Sequence, residues 1–401
     1  MIDQYFKDRD PSEKEVFGSL LNELKGSIPE HLFRFFPFLS FIMLKPDAYL
    51  RGLVPDILKF LADNQVYPVK VSPQQLQADH IDSLYMFVKP KYFESWWIMD
   101  KVYRLAPSCP AIVIGKPEGY EHLSARIRDL VGPTTPLLGN ESQIRYKFRG
   151  AHRIFNLIHG TDDPAAAIRE ALVFFDLDVI KQSLEKAAAL AQEGSAPDWT
   201  FPDTEGLTPA QTIDLDYPQA KHNLKSLLQA RCTKEVESIR KRLAPGDEGK
   251  KAKLTDRIQS LVVRLGDLLE QEKALLVQDH PPKEERRLLI NVYYPQLRTC
   301  SLANDSLSEA IIEFSRDSSL QRDARSNALS SLVTINQCFK IARAMTTDVE
   351  LKESPLDTYF SWLALLGIPL DGYDEANIHA AWSVLSTEFV DFELKNPEQS
   401  L

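Results

Sequence analysis

The chain has 401 residues, 44% of them hydrophobic and 26% charged, with a formal net charge of −10. That composition excludes a wholly disordered or fibrous protein, and the length admits about two to three domains. The acidic balance argues against non-specific binding to nucleic acid or anionic membrane, although a local basic patch could serve a nucleotide. The four cysteines, Cys109, Cys232, Cys300 and Cys338, form no CxxC pair. A disulfide scaffold or structural zinc site is therefore not expected, and a reducing cytoplasm is the expected compartment. No apolar stretch approaches the roughly 20 residues that span a bilayer. The N-terminus MIDQYFKDRDPSEKE is too charged for a signal-peptide core.

Residues 1–37 read as a helical lead-in: Asp10-Pro11-Ser12 precedes Val16, Phe17, Leu20, Leu21 and Leu24 at helical spacing. An aromatic-rich entry follows, with Phe33, Phe35, Phe36, Phe38 and Phe41. Residues 38–176 then alternate. Leu39–Leu44 reads as a short buried strand, Gly52–Asn64 as a helix and Gln65–Val71 as a second strand. A helical stretch carries Trp96 and Trp97. Ala111–Ile114 is the third strand, His122–Val131 a helix and Arg153–Ile158 the fourth strand. Pro164–Phe175 starts a further helix, since proline suits a first helical turn. The order βαββαβ is that of the ferredoxin-like motif, so the fold class is α+β with a mostly α-helical domain behind it.

Residues 177–220 read as a helix and a Pro-rich connector, and residues 221–401 as an α-helical domain. Lys253–His280 is the clearest long helix. Leu254, Ile258, Leu261, Leu265, Leu268 and Leu275 step along one seam, and Glu272 occupies the one position where an apolar residue is missing. Such a seam suits a neighbouring helix, within this chain or in an intermolecular coiled coil. Further helices fit Ser306–Phe314, Gln321–Met345, Pro355–Leu366 and Asn377–Glu393. The isolated His222, His280 and His379 read as structural or solvated residues.

The chemistry concentrates in Asn156-Leu-Ile-His159-Gly-Thr161-Asp162-Asp163. A histidine near a strand end, followed by glycine and a polar run into a helix, can reach an open cleft. Neutral imidazole is a competent nucleophile and can form covalent intermediates. It needs a partner to hold its tautomer, and Glu170 and Thr161 are the nearby candidates. Moving a phosphoryl group also needs cations around it. Lys45 directly after the first strand, Arg128 and Arg145 are available, with Thr134 in Gly132-Pro-Thr-Thr-Pro136. Neither a GxxxxGK[ST] loop nor a protein-kinase signature set is present.

In order and spacing these segments resemble the nucleoside diphosphate kinase family. Lys45-Pro-Asp47 with Arg51-Gly52, Gly132-x-Thr134-x-Pro136, Ile144-Arg145 and Asn156-x-Ile158-His159-Gly160-Thr161-Asp162 carry the resemblance, together with Glu170. It covers about a third of the chain. It implies that His159 becomes phosphohistidine while Glu170 and Thr161 orient it. It implies that Lys45, Arg128, Thr134, Arg145 and Asn156 contact phosphates and ribose, and that Asp162 helps hold Mg²⁺ through water, the ion bridging nucleotide phosphates. Nucleoside tri- and diphosphates are the implied partners, with the base stacked on an aromatic ring for which Phe93, Trp96 and Trp97 are candidates. Departures from the family pattern are Tyr146-Lys147 after the second arginine and Phe155 before Asn156. The alternative expectation is a nucleotide-binding regulatory protein on the same fold with weak or no turnover. The C-terminal helices are expected to regulate the domain, bind a protein partner, self-associate, or simply cap a face.

Overall fold

The structure, a computed structural model, describes residues 3–91, 96–193, 206–213, 217–243, 249–276, 289–317, 322–346, 356–368, 370 and 372–381. The chain divides into two compact units, Met1–Leu215 and Asp216–Leu401. Among the described residues no helix is long and apolar enough to cross a membrane.

The first unit opens with α1 (Asp3–Lys7), α2 (Lys14–Ser27) and a 3₁₀ turn over Glu30–Phe38. A four-stranded antiparallel sheet follows, built from β1 (Leu39–Leu44), β2 (Val66–Val71), β3 (Cys109–Gly115) and β4 (Ile158–Gly160) in the order β2-β3-β1-β4. All six residues of β1 are buried, because both faces of the sheet are covered. Alternation along the strand separates the two layers. Leu39, Phe41 and Met43 enter one core, and Ile42 and Leu44 the other.

The second core is closed by α4 (Val54–Asp63) and α7 (Leu123–Val131), which follow the short α3 (Pro46–Leu50) and β3. These are the two crossover helices of the βαββαβ order, and they show the ferredoxin-like arrangement expected from the sequence. The first core is closed by α2, by α5 (Ala78–Leu84) and α6 (Trp96–Tyr103), and by α9 (Pro164–Ala171) and α10 (Leu177–Glu193). Between β3 and β4 lies the one-turn α8 (Ile144–Lys147). Part of the Pro-rich connector also belongs to this unit: Leu207 is buried in the second core and the Ile213 amide donates to the Leu50 carbonyl at 2.8 Å. Gly52 has φ +67°, and a Cβ there would lie 2.8 Å from the Thr212 methyl, so both conformation and space require glycine.

The fourth strand departs from the sequence expectation of Arg153–Ile158: it is only Ile158–Gly160. Leu157 lies in the left-handed region with φ 72°, which ends the extended run. Its backbone groups serve the loop after β1 instead of a ladder. The Leu157 amide donates to Asp47 Oδ2 at 2.9 Å, and its carbonyl accepts from the Lys45 amide at 2.9 Å. His159 therefore sits inside the short strand, opposite Met43.

The second unit is helical. Helices α11 (Tyr217–Arg240), α12 (Lys250–Leu276), α13 (Tyr294–Arg316) and α14 (Arg322–Ala344) pack as a ring in which α11 and α13 each touch α12 and α14. A π-helical turn, Leu289–Tyr293, leads into α13, and α15 (Leu356–Leu365) and α16 (372–381) follow. The α12 seam is internal to this unit. Glu272, the gap in the seam, is buried and accepts from Lys225 Nζ at 2.7 and 2.8 Å, while Gln296 Nε2 donates to it at 2.9 Å. Helix α11 falls in the stretch expected to be helical but was not singled out; its inward face mixes Lys221, His222 and Lys225 with Ala220, Leu224, Leu228, Cys232, Val236 and Ile239. Helix α13 starts at Tyr294, not at Ser306. His280 and residues 382–393 of the last expected helix lie outside the described residues. None of the four cysteines forms a disulfide, and three that are distant in sequence share the bundle interior, where burial and the Cys338 thiol push the Cys232 thiol up.

Candidate active site

Lys45 directly follows β1 and occupies the N-cap position of α3. It is buried, and its Nζ donates to Asn156 Oδ1 at 2.9 Å and to the Ile154 carbonyl. Asn156 in turn donates from Nδ2 to the Thr134 carbonyl at 3.0 Å, while the Thr134 residue itself is exposed. Asp47 fastens the same loop through Leu157. Burial pushes its carboxyl up, against the opposing pull of Lys45. Arg145 on α8 donates from Nη1 to the Gly132 carbonyl at 3.0 Å and from Nη2 to the Ile158 carbonyl at 2.8 Å. Segments from four parts of the chain thus meet beside β4.

Burial holds the Lys45 ammonium down to about 8, with Asp47 opposing and the Arg145 charge adding to the effect. Burial likewise holds Arg145 down to about 10; Tyr85, Tyr103 and Asp47 oppose the shift and Arg128 adds to it. Arg145 thus feels the repulsion of Arg128 and imposes its own on Lys45, a positive charge that a polyanion would relieve. Arg128 is paired with Asp162 at 2.6 Å, with side-chain exposures of 59% and 75%. This pair costs little to open, because exposed ion pairs contribute at most about 1 kcal/mol.

His159 Nε2 lies 2.6 Å from Glu170 Oε2. Glu170 is itself fixed by Arg169, whose Nη2 donates to Oε1 at 2.8 Å. A carboxylate engaged in this way accepts, so the ring proton sits on Nε2 and the lone pair on Nδ1. The Tyr85 ring meets the imidazole edge-to-face with centroids 5.3 Å apart, and its hydroxyl bonds the Tyr103 hydroxyl at 2.5 Å. The His159 side chain keeps 21% exposure, so it is neither solvated nor sealed.

Thr161 does not reach the ring. Its buried hydroxyl bonds Ser40 at 3.1 Å, Ser124 at 3.3 Å and the Phe41 carbonyl at 3.3 Å. Of the three aromatic candidates for a base platform, Trp96 is buried in the first core against Tyr85. Phe93 and the Trp97 side chain lie outside the described residues. Asp162 faces Arg128, and among the described residues no group of three His, Cys, Asp or Glu could hold a metal ion.

Comparison with known proteins matches residues 39–180 to the family described as nucleoside diphosphate kinase. The nucleoside diphosphate kinase of Methanobrevibacter smithii is 34% identical over 141 residues, which are 35% of this chain and 89% of that protein. The chain belongs to the nucleoside diphosphate kinase family. The enzyme of Fervidobacterium nodosum is 31% identical over 138 residues, 34% of this chain and 87% of its own. A solved structure of the Halobacterium salinarum nucleoside diphosphate kinase has 27% identity over 35% of this chain and 88% of its own, with TM-score 0.32. The helices after the family core match no family, and they make up a mostly helical C-terminal region. Membership supports phosphotransfer as the general activity of the core.

Three residues around the histidine of this nucleoside diphosphate kinase core escaped the sequence reading: Tyr85, Tyr103 and Arg169. Each lies in a helix or turn whose pattern reads as ordinary packing. The one signal was Arg169 directly before Glu170, a basic residue beside the expected carboxylate.

Proposed function

We propose that the core moves the γ-phosphate of a nucleoside triphosphate to a nucleoside diphosphate through phosphorylated His159. The observation that carries this is the imidazole fixed at Nε2 by Glu170, which leaves the Nδ1 lone pair free in a strand whose preceding residue, Ile158, accepts from Arg145. Nδ1 attacks the γ-phosphorus, and the bond from phosphorus to the β,γ-bridging oxygen breaks, its electron pair leaving on the diphosphate. The ring then carries positive charge, which Glu170 offsets while it keeps the Nε2 proton. A terminal oxygen of the acceptor diphosphate attacks the phosphorus next, and the P–N electron pair returns to Nδ1.

Lys45, Arg145 and Arg128 would exchange their internal partners for phosphate oxygens, and Thr134 and Asn156 would contact phosphate and ribose. Three of those internal partners, the Ile154, Gly132 and Ile158 carbonyls, are uncharged, so Lys45 and Arg145 are preorganised without being neutralised, while Arg128 is paired with Asp162. Asp162 is one exposed carboxylate already accepting from Arg128, so the donor set fits a magnesium ion held chiefly by nucleotide phosphates and water. When bound, such an ion offsets the charge on the β- and γ-phosphates. The C-terminal helical unit would regulate the core or bind a partner.

The test is incubation with γ-labelled ATP and magnesium. An acid-labile label, absent from His159→Ala and discharged by a nucleoside diphosphate, is expected. Bound nucleotide without any label would refute turnover and leave a nucleotide-binding regulatory protein. Truncation after Leu215 tests the helical unit, and an unchanged rate with unchanged assembly would refute a regulatory role.

A further inference from the structure

We propose that the N-terminal lead-in is a positioning element of the transfer site, with Arg9 and Phe17 fixing the short helix that presents Glu170 to His159. The inference rests on the phosphohistidine reading above. Helix α9 has eight residues, and Glu170 lies in its last turn. One helix of that length cannot hold a side chain to a fraction of an ångström by its own backbone bonds, because few of its hydrogen bonds are internal. Its two ends are instead held from the lead-in, which lies outside the family match over residues 39–180.

The first hold is on the helix N-cap. Asp163 Oδ1 accepts from the Ala165 and Ala166 amides at 2.8 and 3.0 Å, and Arg9 Nη2 donates to the same oxygen at 2.5 Å. Arg9 is aimed by its Nε bond to the Tyr5 carbonyl at 2.7 Å, and its guanidinium lies 3.9 Å from the Phe17 ring centroid. The pair is mostly buried, with side-chain exposures of 12% and 17%. Phe17 then reaches the other end. It stacks on Phe87 at 5.9 Å, and Phe87 lies under the Arg169 guanidinium at 5.4 Å. Arg169 grips Glu170 Oε1, and it also donates to the Ser83 and Leu84 carbonyls at 2.8 and 3.0 Å, directly before Tyr85. One guanidinium thus fixes the carboxylate and the turn carrying the ring that meets His159. The lead-in also reaches the helix bearing Arg128: Tyr5 donates to Glu121 at 2.9 Å and meets His122, the N-cap of α7, edge-on at 5.5 Å.

A lead-in that merely covers apolar surface would change stability and leave the transfer rate alone. A positioning role changes the rate with little effect on KM, because neither Arg9 nor Phe17 lies among the phosphate-binding cations. Displacement by about 1 Å from a distant substitution can cost up to roughly a hundredfold in rate. The experiment uses the full chain with Arg9→Met, Asp163→Asn, their double variant, Phe17→Leu and Phe17→Trp. Asparagine keeps the cap acceptor and loses the charge. Measured are the rate of label transfer from γ-labelled ATP, the KM for ATP, the thermal midpoint and the ¹⁵N signals of the His159 ring. Expected are rates roughly tenfold lower for Arg9→Met and Asp163→Asn, KM within about twofold, a double variant no slower than either single, and retention of rate by Phe17→Trp but not by Phe17→Leu. Unchanged rates with a lowered midpoint would overturn the proposal, as would additive losses in the double variant. If the unsubstituted protein takes no label, the phosphohistidine reading fails separately. The ring signals then decide the positioning role alone: Arg9→Met must weaken the Nε2–H preference, and an unchanged spectrum overturns it.

Discussion

Replacing Glu170 by glutamine alters few atoms yet creates a conflict that the structure makes explicit. Both carboxylate oxygens accept from donors: His159 at 2.6 Å and Arg169 at 2.8 Å. An amide offers one acceptor and one donor. If its oxygen serves the imidazole, its NH₂ faces the Arg169 guanidinium and a charge-assisted bond is lost. If its oxygen serves Arg169, its NH₂ faces His159 Nε2, which must then become an acceptor. The ring proton moves to Nδ1 and removes the lone pair that attacks phosphorus. The first arrangement costs about 1.5–3 kcal/mol, the range for hydrogen bonds to charged groups. The second is populated as far as that cost drives it, so phosphohistidine formation should slow roughly ten- to a hundredfold at about 1.4 kcal/mol per decade. Rapid-quench measurement of the first turnover gives the rate, and ¹⁵N spectra of the ring give the tautomer. A Glu170→Gln protein labelled within about twofold of the unsubstituted rate, with Nε2 still protonated, would refute the argument.

Lys45 titrates near 8 in the folded chain against 10.5 for an ordinary lysine. Its charge is lost as pH rises through about 8, so the KM for ATP should climb over that range, and steady-state kinetics at pH 7 and 9 would show it. The unfolded chain binds more protons between about 8 and 10.5, so this residue makes stability rise with pH there. Lys45→Met should flatten that contribution in pH-dependent unfolding. Arg128→Gln should weaken nucleotide binding by titration calorimetry while shifting stability by less than about 1 kcal/mol, because its pair with Asp162 is exposed. In the helical unit, Lys225→Met alone should cost about 3–5 kcal/mol in chemical denaturation by stranding a buried Glu272, and Lys225→Met with Glu272→Leu should recover most of it. Burial raises the Glu272 carboxyl, but His222, Lys225 and Gln296 together hold it down to about 2 against 4.5. Its contribution is therefore full above about 4.5 and lost as pH falls through about 2, which circular dichroism along an acid titration would follow.

The apolar run of β1 and the spacing of α4 and α7 made the ferredoxin-like core legible, because a short apolar run between breakers and period-3.6 burial are written directly in residue order. The histidine, its carboxylate and the cations were legible for a different reason: they recur at fixed spacings in a family. Residues that act only by tertiary contact were not. Nothing in Tyr85 or Phe87 announces a ring that meets His159 or an arginine stacked above a phenylalanine, since both satisfy the pattern of a packed helix end. The fourth strand was misread because Leu157 is an unremarkable aliphatic in sequence, and its left-handed backbone follows from Asp47 and Lys45, more than a hundred residues away.

Glu272 shows how far an anomaly can be read without its partner. A charged residue in an otherwise apolar seam predicts either an exposed end of the helix or a buried ion with compensation. The burial of Glu272 selects the second, and compensation must then come from another helix, because its own neighbours on the seam are leucines. Lys225 supplies it from α11, and Gln296 from α13 bonds both members of the pair. The same requirement interrupts the apolar face of α11, where His222 and Lys225 stand among Ala220, Leu224 and Leu228. The charged residues of α11 and the interrupted seam of α12 are two sides of one polar contact. A sequence reading that treats each helix alone sees an unexplained polar group in each.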